Sequence, residues 1–165
     1  MDEVRTGIGW DVHRLARGRV LMLGGVMIAS EAGLEGHSDA DVLSHAITDA
    51  ILGAAGAGDI GMHFPDSDPR WAGANSLLFL RHARDLAAAR GLEILNVDST
   101  VILETPRLKT YRTAIRQKLA ETLGLDVDRV SVKFKTAEKL GPVGTGQAAE
   151  AQAVVTLVKT SGKPT

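Results

Sequence analysis

Three histidines and three carboxylates fall in two short segments of this chain, Asp11-Val12-His13 and Gly36-His37-Ser38-Asp39-Ala40-Asp41-Val42-Leu43-Ser44-His45. That is the donor set of a divalent-metal site acting on phosphate. The chain has no cysteine, so a zinc ion here must be held by imidazole and carboxylate. Asp11 and His13 are two apart on an expected strand, which points both side chains to one face. A D-x-H pair alone also arises as an ordinary surface pair. On the following helix Asp41, His45 and Asp49 recur at i, i+4 and i+8, nearly opposite the apolar stripe. That flank reads either as a solvated face or as one aimed at a ligand. Asp11, His13 and His45 supply three zinc-type ligands and leave a fourth position for substrate. Asp41 or Asp49, one turn away, is placed to hydrogen-bond the other nitrogen of His45.

Other groups suit a phosphate. His37 and Ser38 lie at an expected helix N-terminus, where free N–H groups and the helix dipole favour anions. Asp59-Ile60-Gly61 sits in a glycine-rich stretch from Gly56 to Asp66, either a loop that approaches a ligand closely or a connector. In Lys135-Thr136-Ala137-Glu138, Thr136 can donate to a phosphate and Glu138 can hold a hard cation such as Mg²⁺. The same residues also read as a solvated strand end.

These residues need a scaffold, and the hydrophobic pattern supplies one. Val4 to His13 reads as a strand broken by Gly7 and Gly9. Val20 to Ile28 reads as a hairpin turning at Gly24-Gly25. Asp39 to Gly56 reads as a helix with Leu43, Ile47, Ala50, Ile51 and Ala54 on its apolar side, capped by Ser38 or Asp39. A helix runs from Ser76 to Arg90 before Gly91. Ile94 to Glu104 alternates, with Leu95, Val97, Val101 and Leu103 on one face. Tyr111, Ile115, Leu119 and Leu123 mark a third helix ending at Gly124. Val130, Val132 and Phe134 mark a strand, and Ala153 to Val158 a near-continuous apolar strand at the sheet centre. The expected class is α+β, a small mixed sheet with helices packed on one face.

Composition narrows the function. The 165 residues suit a single domain over residues 1–160, with 161–165 a frayed tail. A formal net charge of -1 provides no basic field for nucleic acid, and 4% aromatics argues against a base-stacking binder. No apolar run reaches the ~18 residues that span a membrane, and the start does not read as a signal peptide. A cytoplasmic enzyme or binding protein is the expectation.

Taken together, Gly7-x-Gly9-x-Asp11-x-His13, Gly36-His37-Ser38-Asp39-Ala40-Asp41, Asp59-Ile60-Gly61, Phe64-Pro65-Asp66 and Thr136-x-Glu138-x-Leu140-Gly141 resemble, in order and spacing, the 2-C-methyl-D-erythritol 2,4-cyclodiphosphate synthase family. The resemblance runs from about Gly7 to Val158. It implies a lyase of non-mevalonate isoprenoid biosynthesis. The substrate would be 4-diphosphocytidyl-2-C-methyl-D-erythritol 2-phosphate, whose 2-phosphate attacks the β-phosphorus of its own diphosphate to release CMP. It further implies Zn²⁺ or another divalent cation on Asp11, His13 and His45, and Mg²⁺ or Mn²⁺ held by Glu138 at the diphosphate. His37 and Thr136 match the transition-state stabilisers. Ser38 and the loop of Phe64, Pro65, Asp66, Ser67 and Asp68 match the methylerythritol phosphate site, and Asp59 and Gly61 the erythritol site. The cytidine contacts map to Leu103, Pro106, Arg107, Leu108 and Lys109, and to Lys135 with Thr136. The implied assembly is a homotrimer with sheets lining a three-fold core and sites between subunits. The family pattern is broken at Pro142, Thr145, Gln147 and Ala148, and Lys135 and Ala137 flank Thr136 where the family has threonines. In the family the positions of Pro142 and Thr145 line the trimer's central cavity, so the resemblance implies that an anion there would lose its arginine partner.

Two other chemistries fit the residues as such. One is a phosphohydrolase whose metal activates water; the other is a non-catalytic trimeric binding protein with a structural zinc, which would need a fourth protein ligand.

Overall fold

Side chains alternate between two environments along the first segment, and that alternation becomes a 14-residue strand, β1 (Val4–Arg17). The computed structural model describes residues 3–159, so the tail expected at 161–165 lies outside them. The glycines do not break β1. They let the first helix, α1 (Val42–Ala54), lie directly on it, since a Cβ at Gly7 or Gly9 would overlap the carbonyl oxygen of Ala50 or Ala46. β2 (Leu21–Leu23) and β3 (Val26–Ile28) form the expected hairpin around Gly24-Gly25, and β4 (Ala32–Leu34) pairs with the end of β1. A short helix α2 (Ile60–His63) interrupts the glycine-rich stretch. α3 (Leu77–Ala89), β5 (Leu92–Ile102), α4 (Arg112–Leu123), β6 (Val130–Lys135), a one-turn α5 (Gly141–Gly144) and β7 (Ala148–Lys159) complete the chain.

The main sheet has the order β4-β1-β7-β5-β6. β5 and β6 run parallel, and the other neighbours are antiparallel. This is the mixed α+β architecture expected, with β7 central. β7 is not uniformly buried, however. Ala149, Ala151, Ala153, Val155 and Leu157 face the helices, whereas Val154 is exposed. Along β5 the expected face is wrong at one point. The ladder shifts register between Ile94 and Asn96, so Leu95 is extra to the pairing and turns outward while Ile94 is buried.

The apolar stripe of α1 (Leu43, Ile47, Ala50, Ile51 and Ala54) is buried as expected; each large aliphatic side chain contributes roughly 2 kcal/mol. The helix starts later than expected, and neither Ser38 nor Asp39 caps it. Asp41 does, from a fully buried position. Its carboxylate accepts from Ser44 N (3.0 Å), Ser44 Oγ (2.9 Å), Gly24 N (2.9 Å) and Gly25 N (2.7 Å), which ties the hairpin turn to the helix. Ala40 adopts a left-handed φ of 56°, turning the chain so that Asp41 enters the core.

Candidate active site and metal centre

β1 and α1 meet where their polar residues face each other. Odd-numbered positions of β1 face the helices, so the strand that buries Gly7 and Gly9 also turns Asp11 and His13 toward His45 of α1. Asp11 Oδ2 lies 3.0 Å from His13 Nε2 and 2.9 Å from His45 Nδ1, and the two nitrogens are 3.1 Å apart. The other nitrogen of His13, Nδ1, is 2.7 Å from Glu35 O and must donate to it, which leaves Nε2 with its lone pair toward the cluster in the neutral ring. Gly36 makes room for that ring: a Cβ there would come 2.9 Å from His13 Cε1. Three donor atoms this close can share hydrogens in the metal-free protein or surround a cation. Among the described residues, Asp11, His13 and His45 are the group that could hold a metal ion.

The electrostatics agree. Burial raises the Asp11 carboxyl, yet the hydrogen bonds from His13 and His45 outweigh it and hold the group at about 2, below its ordinary 3.8. Burial lowers His13, but the bond to Asp11 outweighs it and the ring ends above its ordinary 6.5. For the metal-free protein the signs follow. Asp11 contributes stability above 3.8 that is lost as pH falls toward about 2. His13 contributes stability below 6.5 that is lost as pH rises through its raised value. A metal requires the neutral ring, so zinc stabilisation should grow over that same rise. The gap between melting temperatures with zinc and with chelator should therefore widen from pH 6 to pH 8. A gap that stays constant would refute the coupling.

The position expected for Asp41 or Asp49 is taken by others. Asp41 is the buried cap described above, and Asp49 accepts from Ile60 N at 2.7 Å, so neither reaches His45 Nε2. Burial, first of all, raises the Asp49 carboxyl. The atoms facing His45 Nε2 are Ser76 Oγ at 2.8 Å and Ser38 Oγ at 3.1 Å. The flank of α1 is therefore not a solvated face.

An open cleft of about 570 Å³ lies in front of these donors. His37, Ser38, Ile60, Gly61, Phe64, Pro65 and Asp66 line it, with Trp71 and Phe79 as its aromatic floor. Phe79 lies 5.9 Å from the His45 ring and Phe64 lies 4.3 Å from Phe79, centroid to centroid. His37 Nε2 is 3.0 Å from Asp68 O, joining the loop before α1 to the loop of Phe64 to Asp68. Ser67 sits in that loop, and the Asp68 carboxylate pairs with Arg70 at 2.6 Å. Asp59 caps α2, accepting from Met62 N at 3.0 Å. Below the loop, His63 bridges Ala57 O (2.9 Å) and His82 Nε2 (3.2 Å), anchoring the segment to α3.

The remaining expected residues are elsewhere. Leu103, Pro106, Arg107, Leu108, Lys135 and Thr136 line a separate small cavity that shares no residue with the cleft. Lys109 opens the turn beside it. Thr136 donates to Glu138 Oε1 at 2.9 Å. Glu138 and Lys139 both hold left-handed backbone, φ 51° and 64°, a strain of about 1–3 kcal/mol each of the kind retained at functional sites. Thr145 Oγ1 donates within its own turn, to Gly141 O at 3.0 Å. One chain thus holds the expected residues as two groups. Ser76, Phe79 and Trp71 were not expected. The sequence offers Ser76 only as a helix start, and no motif or spacing singles out the two aromatics.

The chain is similar to known proteins in sequence and in fold. The YgbB family model matches residues 4–158. A 2-C-methyl-D-erythritol 2,4-cyclodiphosphate synthase of Solibacter usitatus is 73% identical over 159 residues, 96% of this chain and 100% of that protein. Among solved structures, the bifunctional IspDF from Campylobacter jejuni superposes with a TM-score of 0.93 at 43% identity, over 96% of this chain and 43% of that one. A Plasmodium falciparum IspF in complex with CDP superposes with a TM-score of 0.84 at 38% identity, over 96% and 98% of the two chains. No helix among the described residues is long and apolar enough to cross a membrane.

Proposed function

The chain belongs to the YgbB family, and on that premise we propose that the Asp11, His13 and His45 cleft is one half of the active site of a 2-C-methyl-D-erythritol 2,4-cyclodiphosphate synthase. The enzyme converts 4-diphosphocytidyl-2-C-methyl-D-erythritol 2-phosphate to the cyclic 2,4-diphosphate and CMP. A 2-phosphate oxygen bonds to the β-phosphorus, the bond from that phosphorus to the bridging oxygen breaks, and the electron pair leaves with CMP. The nucleophile is already an anion, so no base has to take a proton. Alignment and neutralisation of charge are what the protein must provide.

The observation that carries this reading is the convergence of Asp11 Oδ2, His13 Nε2 and His45 Nδ1 at the mouth of the cleft. Those residues would hold Zn²⁺ or a similar cation and Glu138 a Mg²⁺ or Mn²⁺; bound there, such ions polarise phosphoryl oxygens and offset their charge. His37 and Ser38 present the start of the loop to the phosphates, and the bond from His37 to Asp68 O holds the Phe64 to Asp68 loop around the methylerythritol phosphate. Asp59 and Gly61 take the erythritol end. Thr136 and Lys135, with Leu103 and Pro106 to Lys109, take the diphosphate and cytidine.

These two groups line different cavities of one chain, which supports a homotrimer in which each cleft closes against a neighbour's cytidine cavity. The outer sheet face supports the same assembly: Val4, Ile8, Trp10, Val12 and Val154 project from β1 and β7 into solvent, Ile8 with 76% of its surface exposed. The test is phosphorus NMR of the purified protein with the diphosphocytidyl substrate and both cations. Cyclic diphosphate and CMP are the expected products. A linear phosphate product would instead indicate a hydrolase that activates water.

A further inference from the structure

We propose that Ser76 and Asp39 form a positioning relay that fixes the tautomer and orientation of His45. The inference rests on the reading of Asp11, His13 and His45 as a metal site. Ser76 precedes α3 at its N-cap, where a serine ordinarily accepts a hydrogen bond from the helix's first turn. Its side chain makes no such bond. Ser76 is fully buried, and its hydroxyl lies between the Asp39 carboxylate and His45 Nε2.

The partners assign the hydrogens. The Asp39 carboxylate only accepts, and both its oxygens are turned to Ser76: Oδ1 to the hydroxyl and Oδ2 to the backbone N–H at 3.1 Å. The Ser76 hydroxyl proton therefore points at Asp39. Toward His45 Nε2, at 2.8 Å, Ser76 Oγ can only accept. Ser76 Oγ thus favours a hydrogen on Nε2, which directs the lone pair that a cation needs to Nδ1, the atom that faces Asp11 Oδ2 and His13 Nε2. Glu35 O does the same for His13 from the other side. Both rings are thereby oriented so that the nitrogen a cation would meet is the one that faces Asp11. The Ser38 hydroxyl also lies near Nε2, at 3.1 Å, but no carboxylate contact fixes which way its proton points.

The chain is also built to hold the relay. The left-handed turn at Ala40 sends Asp41 into the core and leaves Asp39 facing α3, while Asp39 Oδ1 accepts from Asp41 N at 3.2 Å. A helix-start serine whose hydroxyl ignores its own helix, and whose proton is committed to a carboxylate, is placed to orient a ligand rather than to cap.

Two variants and two measurements test this. Ser76→Ala removes the acceptor. Asp39→Asn keeps the shape but offers an N–H where a carboxylate oxygen was; if that N–H takes Ser76 Oγ, the hydroxyl turns its proton toward His45. Zinc affinity is measured by chelator competition, and the His45 tautomer by imidazole ¹⁵N shifts in the metal-free protein at a pH where the ring is neutral. Both variants should bind zinc roughly 10–100-fold more weakly, as for loss of an outer hydrogen-bond partner of a ligand. In both, the balance between the two tautomers should shift toward the Nδ1–H form that Asp11 favours. If Ser76→Ala does not fold, Asp39→Asn carries the test. Wild-type affinity in either folded variant, or a weaker site with the tautomer unchanged, overturns the relay. If wild-type protein itself binds no zinc, it is the metal-site reading that falls, and the tautomer shift still decides the relay.

Discussion

His45→Ala should leave a folded protein that retains almost no zinc and almost no cyclisation activity. The reason lies in the geometry of α1. Its apolar side (Leu43, Ile47 and Ile51) is fully buried, and its N-terminus is fastened by the four hydrogen bonds to Asp41. None of this involves the imidazole. His45 is nonetheless the sole ligand from α1, and its loss leaves Asp11 and His13, both from β1, on one side of the site. Two donors from one strand cannot surround a tetrahedral ion. Loss of the several kcal/mol that a bound cation contributes at a phosphoryl oxygen corresponds to a fall in turnover of roughly 10³-fold or more. Metal analysis of the purified variant and phosphorus NMR of its product check the two parts separately. Stoichiometric zinc in His45→Ala would show that the ligands have been misassigned.

That site was legible in the sequence because each of its parts is local. The alternation of β1 puts Asp11 and His13 on one face, and the helical period puts His45 opposite the apolar stripe. Each statement concerns one element. What the period cannot say is which element will lie against the free side of His45. Asp41 and Asp49 are near in the chain and on the correct flank, so they are the natural candidates. The Asp41 carboxylate instead meets the amides of Gly24 and Gly25, and Asp49 meets Ile60. The position goes to Ser76, 31 residues further along the chain, which the sequence offers only as the start of another helix.

The fold shows the same division. The order of the long strands and helices followed from pattern, and the central place of the last strand from its apolar run; β4, α2 and α5, each only three or four residues long, left no period to read. Gly7 and Gly9 read as breaks because the sequence shows a missing side chain but not the helix carbonyl that needs its absence. Leu95 was placed on the wrong face because a bulge adds one residue to the ladder without altering the apolar pattern. The separation of the two candidate-site groups is a fact of tertiary structure alone. No spacing along the chain distinguishes residues that meet within one subunit from residues that meet across two.

Ile8→Lys should split the assembly and abolish cyclisation while leaving the subunit folded. Ile8 pairs across the ladder with Val154 on the outer face of the sheet, and at 76% exposure it makes little contact within its own chain. In an isolated subunit a lysine there is a surface substitution, worth no more than about 0.5 kcal/mol. In a three-fold assembly sealed by these faces it becomes three ammonium groups in a shared apolar interior, each costing several kcal/mol to desolvate and each repelling the others. The substitution is thus nearly silent for the fold and severe for the interface. Activity follows the interface only if the cleft at Asp11, His13 and His45 works against a neighbour's Thr136 and Glu138. Light scattering should give the mass of three chains for the parent and one for the variant, with unchanged circular dichroism and zinc content. The substrate should then turn over at a rate close to background. A variant that is monomeric and as active as the parent would show that one chain closes its own site and that the two cavities do not work as a pair.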